Sequence, residues 1–226
     1  MSMGTFIIYF LILMILPILA QSKVKSAYKK YSKVTTSSMK TGAQVAREIL
    51  NDNGLANVSI EEVPGTLTDH YDPRSKKLRL SKDIFHGNSM ASSAVAAHEV
   101  GHALQDAEGY AFLKFRSALV PLASFGSNSA MFIIIAGIIF SANNLIGLGV
   151  IFMAFAVLFQ LVTLPVEFNA SSRAMDQLVA TGIIVNEEER DTKKVLNAAA
   201  LTYVAAAMVA VAELMRFLLI FLNNRN

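Results

Sequence analysis

Between Ser117 and Val166 the chain runs for fifty residues without a single Asp, Glu, Lys or Arg. A helix crosses a bilayer core with about 20 apolar residues, so this stretch is long enough for two crossings. Ser141-Ala142-Asn143-Asn144 is the natural break between them. Two further segments have the same character. Met1 to Ser22 is uncharged around an apolar core, Phe6–Ala20, and Val195 to Ala212 is uncharged and continues into the apolar run Phe217–Leu222. The pattern predicts four spans, near 4–21, 118–140, 145–164 and 198–221. They account for a hydrophobic content of 54% and a mean hydropathy of +0.46. The first segment has no positive leading region, and its apolar run exceeds that of a secretory signal. Ile18-Leu19-Ala20-Gln21 is only a weak cleavage site. The segment therefore reads as a retained anchor.

Lys23, Lys25, Lys29, Lys30 and Lys33 follow the first span directly. Basic residues flanking a span mark its cytoplasmic side. That orientation puts the N-terminus, the Asn143-Asn144 loop and the C-terminus with Arg225 outside, and returns residues 165–197 to the cytoplasm. The lysine run reads as membrane-flanking charge, and nucleic acid is not an expected partner. With no cysteine, the chain has no disulfide, no thiolate zinc site and no thiol nucleophile.

The expected division is 1–21 anchor, 22–117 cytoplasmic domain, 118–164 two membrane helices, 165–197 second cytoplasmic segment, and 198–226 membrane helix and tail. Within the first cytoplasmic part, Thr41 to Leu50 reads as a helix stopped at Asn53-Gly54. Val58–Val63, Thr66–Tyr71 and Lys77–Leu80 alternate and are bounded by Pro64-Gly65 and Asp72-Pro73-Arg74-Ser75, which predicts a small antiparallel sheet. Ser81 to Asn88 is loop or short helix. Asn88 or Ser89 can cap a long helix that ends near Ala107, before Gly109. The fold class is α+β on a four-helix transmembrane bundle.

That long helix carries His98-Glu99-Val100-Gly101-His102. Side chains four apart lie on one helical face, so two imidazoles can share one Zn²⁺. The intervening glutamate is then placed to take a proton from a water activated by the metal. Gly101 removes bulk beside a ligand, where a metal or a substrate backbone needs room.

A catalytic zinc usually has three protein ligands and an open position. The chain has only His70, His86, His98 and His102, so the third ligand is His70, His86 or a carboxylate. Glu167 is the best candidate. Two spans separate it from the motif, so both lie on the same membrane side. Asp106, one turn beyond His102, would strain to share the metal. Asp176 and Glu187–Glu189 read as a solvated face, and Glu213 and Arg216 as a pair on one face of the last span.

HEVGHALQ, the preceding Asp69-His70-Tyr71-Asp72-Pro73-Arg74 and the later LPVEFNASSRA together resemble the YugP-type neutral zinc metallopeptidases of bacterial membranes, over nearly the whole chain. The resemblance implies a zincin-like (gluzincin) domain with His98, His102 and Glu167 as ligands of one Zn²⁺ per chain and Glu99 as general base. In more distant membrane peptidases an Asp four residues after the ligand glutamate orients a ligand histidine. Here that position is Ser171, so support for the ligands falls to Asn169, Ser171 or another residue. In those relatives an extended segment before the motif helix pairs with substrate. By analogy Thr66–Tyr71 binds peptide backbone, and His70, Tyr71 or Arg173 stabilises the oxyanion.

The function expected is a membrane-embedded zinc endopeptidase of a bacterial cell membrane, its site at the cytoplasmic surface. Its partners are a protein or peptide substrate, membrane-associated segments included, and the lipid bilayer. An accessory membrane partner or a homo-oligomer is compatible with this. The alternative is a catalytically inactive zinc-binding scaffold, and a transporter is third. Glu99 favours the enzyme, because a purely structural zinc site needs no base.

Overall fold

The structure is a computed structural model, and residues 3–223 are described. Its seven helices are α1 (Met3–Tyr31), α2 (Gly42–Asp52), α3 (Lys82–His86), α4 (Met90–Ala107), α5 (Ala111–Ile139), α6 (Asn143–Ala180) and α7 (Glu187–Asn223). Three strands, β1 (Ser59–Val63), β2 (His70–Asp72) and β3 (Lys77–Ser81), lie between α2 and α3. The chain divides into two compact units, and among the described residues α1, α5, α6 and α7 are long and apolar enough to cross a membrane. Arg225 and the tail beyond Asn223 lie outside the described residues.

The first unit comprises residues 3–18, 111–166 and 203–223. Its outer surface is apolar: Phe132 and Phe140 are each 75% exposed, which suits lipid rather than water. Inside, Ile134, Val150 and Phe217 form a small core. Helices in lipid gain nothing from burying one apolar side chain instead of another, so they associate through close packing at small residues. Gly126 illustrates this. A Cβ there would lie 2.4 Å from the Phe152 carbonyl oxygen, so α5 approaches α6 only because the side chain is missing. Tyr9 of α1 donates to Glu213 of α7 at 3.1 Å, and Arg216 pairs with the same carboxylate.

The second unit comprises residues 19–110 and 167–202. Its centre is α4, which is buried along almost its whole length. Ala94, Ala96, Ala97 and Ala103 explain how: small side chains let α2, β3 and the last part of α6 pack closely on several sides, with Ile49, Leu50, Leu78, Leu80 and Leu178 as the large members of the core. The local signals act where the sequence placed them. Thr41 caps α2 through a reciprocal box with Gln44, Asn53 follows as its C-cap, and Ser89 accepts from the Ser92 N–H to start α4. Gly109, with φ +69°, follows α4 in the left-handed region, where a missing Cβ removes the penalty.

The sheet departs from expectation. It is mixed, in the order β1-β3-β2, with β1 parallel and β2 antiparallel to β3. The chain passes from β1 across to the far edge before turning back, which puts β3 in the middle. The second strand is also shorter than expected, His70–Asp72 rather than Thr66–Tyr71, because residues 64–69 form that crossing. Asp69 ends it by accepting the Ser81 backbone N–H at 2.7 Å and the Ser81 hydroxyl at 3.0 Å.

Candidate metal centre

The second unit brings three side chains together from two helices. His98 and His102 project from one face of α4, with ring centroids 4.8 Å apart. Glu167 comes from the middle of α6. Its Oε2 lies 3.2 Å from His98 Nε2 and 3.6 Å from His102 Nε2. α6 continues past Glu167 to Ala180.

Gly101 sets how closely the two helices meet. A Cβ on it would lie 2.5 Å from the Ala170 carbonyl oxygen. The space left by the missing side chain is therefore filled by the α6 backbone, not held open for metal or substrate. Ala170 lies one turn beyond Glu167, so the same contact brings the carboxylate against the imidazoles.

The donor set fits a divalent metal. One ligand atom from each of His98, His102 and Glu167 falls within a group no more than 4.8 Å across, and among the described residues no other such group occurs. Donors about 2.1 Å from a tetrahedral zinc are separated by ~3.4 Å, which the two measured separations bracket. Two imidazoles and a carboxylate also match the hardness zinc accepts.

Both ring nitrogens facing away from Glu167 have neighbours. Ser171 Oγ is 3.2 Å from His98 Nδ1, and Gln105 Oε1 is 3.1 Å from His102 Nδ1. Gln105, fully buried, in turn donates to Asn169 Oδ1 at 2.9 Å. Gln105 escaped the sequence reading, and its signal is its place three residues after His102 on the same helical face.

Glu99 lies between the two histidines in sequence and is buried. Burial pushes its carboxyl up to about 7, although it accepts the Tyr71 backbone N–H and has His98 nearby.

The remaining expected site residues are placed as follows. His70 is exposed, with Nδ1 2.8 Å from the Thr68 carbonyl and Nε2 3.3 Å from Arg79, and does not join the histidine–glutamate group. The Tyr71 hydroxyl donates to Asp106 at 2.8 Å. Arg173 donates through Nε to Asn169 at 2.7 Å and through both Nη atoms to the Glu108 carboxylate at 2.6 and 2.7 Å. His86 contacts Glu62 at 2.7 Å, and Asp106, which also pairs with Lys76, stands outside the cluster.

A family model described as "Putative neutral zinc metallopeptidase" matches residues 6–222. The chain is 54% identical over 207 residues to the "Putative membrane protease YugP" of Bacillus subtilis (strain 168), an alignment covering 92% of each. No solved structure matches the chain. A match running through all four apolar helices and across both halves of the histidine–glutamate cluster places this chain in the family described as putative neutral zinc metallopeptidases.

Proposed function

We propose that this chain is a membrane-embedded zinc endopeptidase, with His98, His102 and Glu167 holding one Zn²⁺ and Glu99 acting as general base. The observation that carries this reading is the buried convergence of two imidazoles and one carboxylate, with a second buried carboxylate, Glu99, between the two histidines in sequence. A bound Zn²⁺ supplies Lewis acidity toward a water and a peptide carbonyl. The protein's own groups do the rest. Glu99 takes a proton from the attacking water and delivers it to the departing amine nitrogen. Its raised affinity for protons suits both halves of that task near neutral pH. Glu167 would hold the metal together with the histidines, from a helix different from theirs.

The sheet supports a position for the peptide. β2 is an edge strand, and the Tyr71 N–H on its outer side reaches Glu99. A substrate strand added along β2 (His70–Asp72) would run past the general base with its backbone hydrogen-bonded. The edge position of β2 supports a zincin-like reading of this unit. The lysine run after the first span supports a site on the cytoplasmic side, with membrane-associated polypeptides as its substrates.

Cleavage of an unstructured protein by detergent-purified chain, with metal content measured in parallel, tests the reading. Activity is expected in wild type and should fall by roughly 10²-fold or more in Glu99→Gln, with zinc equal in both. Cleavage that persists in Glu99→Gln rules out the general base. An active phenotype in cells that survives this substitution would favour the scaffold.

A further inference from the structure

We infer that Gln105, Asn169 and Arg173 form a relay of fixed polarity that holds His102 in the one tautomer able to bind metal through Nε2, with Arg173 setting the direction. The inference rests on the zinc reading above and extends it to residues that touch no metal.

Amide orientation is not read from shape alone, because the oxygen and nitrogen of Asn and Gln are nearly isosteric. A guanidinium removes the ambiguity, since it only donates. Arg173 Nε lies 2.7 Å from the Asn169 side chain, so Asn169 must present its oxygen there. The same oxygen lies 2.9 Å from the Gln105 amide, so Gln105 must present its NH₂. Its Oε1 then faces His102 Nδ1 at 3.1 Å, and that nitrogen must carry the proton. In a neutral imidazole the lone pair is left on Nε2, the atom turned toward Glu167. Each step is forced by the one before it.

The outer end is anchored in turn. Both Nη atoms of Arg173 grip the Glu108 carboxylate at 2.6 and 2.7 Å, a two-point contact that fixes the guanidinium plane. Arg173 is thus a positioning residue: its Nε donates to Asn169 and each Nη donates to Glu108.

The test is zinc affinity of the full chain in detergent, measured by competition with a chromophoric chelator, together with thermal melting after metal removal. Asn169→Asp keeps an acceptor for both Gln105 and Arg173, whereas Asn169→Leu keeps the shape and loses the acceptor. Gln105→Met removes the partner of Nδ1. Loss of such a supporting partner typically weakens metal binding by about 10- to 100-fold. The expected pattern is that fall in Asn169→Leu and Gln105→Met, near-wild-type affinity in Asn169→Asp, and equal metal-free melting of the two Asn169 variants. Equal affinity of those two variants, or unchanged affinity in Gln105→Met, overturns the relay while leaving the zinc site standing. Wild type that takes up no zinc overturns the zinc reading and the relay with it.

Discussion

Glu99 and Glu167 are the same side chain in opposite surroundings. Glu167 has an imidazole nitrogen on each side, whereas Glu99 has burial working against its charge and only a backbone N–H and the nearby His98 favouring it. One is suited to hold a cation and the other to exchange a proton, and substitution should separate the two roles. Glu99→Gln should keep about one zinc per chain while cleavage falls by roughly 10²-fold or more. Glu167→Ala and His98→Ala should each lose most of the metal, and activity with it. Metal analysis beside a peptide-cleavage assay reads both. The pairing of His98 and His102 on one face was legible because a two-histidine motif is local: its geometry is fixed by the helix repeat alone. Gln105 was not legible as a participant, because its role depends on Asn169 and Arg173, which the chain brings back only after two membrane helices.

At the scale of the element, the contact between α4 and α6 decides whether three donors become one site. In an isolated helix Gly101→Ala would add about 1 kcal/mol of stability. Here the new Cβ meets a backbone carbonyl at 2.5 Å, which cannot rotate out of the way. Such overpacking typically costs about 1–3 kcal/mol. The variant should therefore melt below wild type and bind less than one zinc per chain. A variant with higher Tm and full zinc would refute the close-approach role. Thr41→Ala is the contrasting case. It removes the α2 cap at a cost of about 1 kcal/mol, so Tm should fall while zinc content stays unchanged. The sheet marks where local reading stopped. Strand positions follow from alternation and turns, but the direction of pairing depends on which edge the chain crosses to, and residues 64–69 carry no signal for that.

For the whole molecule, topology is the property most open to test. The chain has no cysteine, so single cysteines report without background. If the proposed orientation holds, a membrane-impermeant maleimide should label Asn144→Cys in intact cells and Ser75→Cys only after lysis. The reverse pattern would turn the site to the outer face. The sequence by itself determined the four apolar helices, since the absence of charge over twenty residues leaves a polypeptide few other environments. It also determined the caps of α2 and α4 and the pair of histidines on one helical face, because capping and helical spacing act within a few residues. Only the tertiary structure decided that β3 lies centrally in a mixed sheet, that the α6 backbone fills the space over Gly101, and that Arg173 turns inward to Asn169 and outward to Glu108. These outcomes depend on which segments meet; Gln105 and Asn169, for example, are 64 positions apart, and such a meeting is set by packing of the whole chain rather than by any local preference.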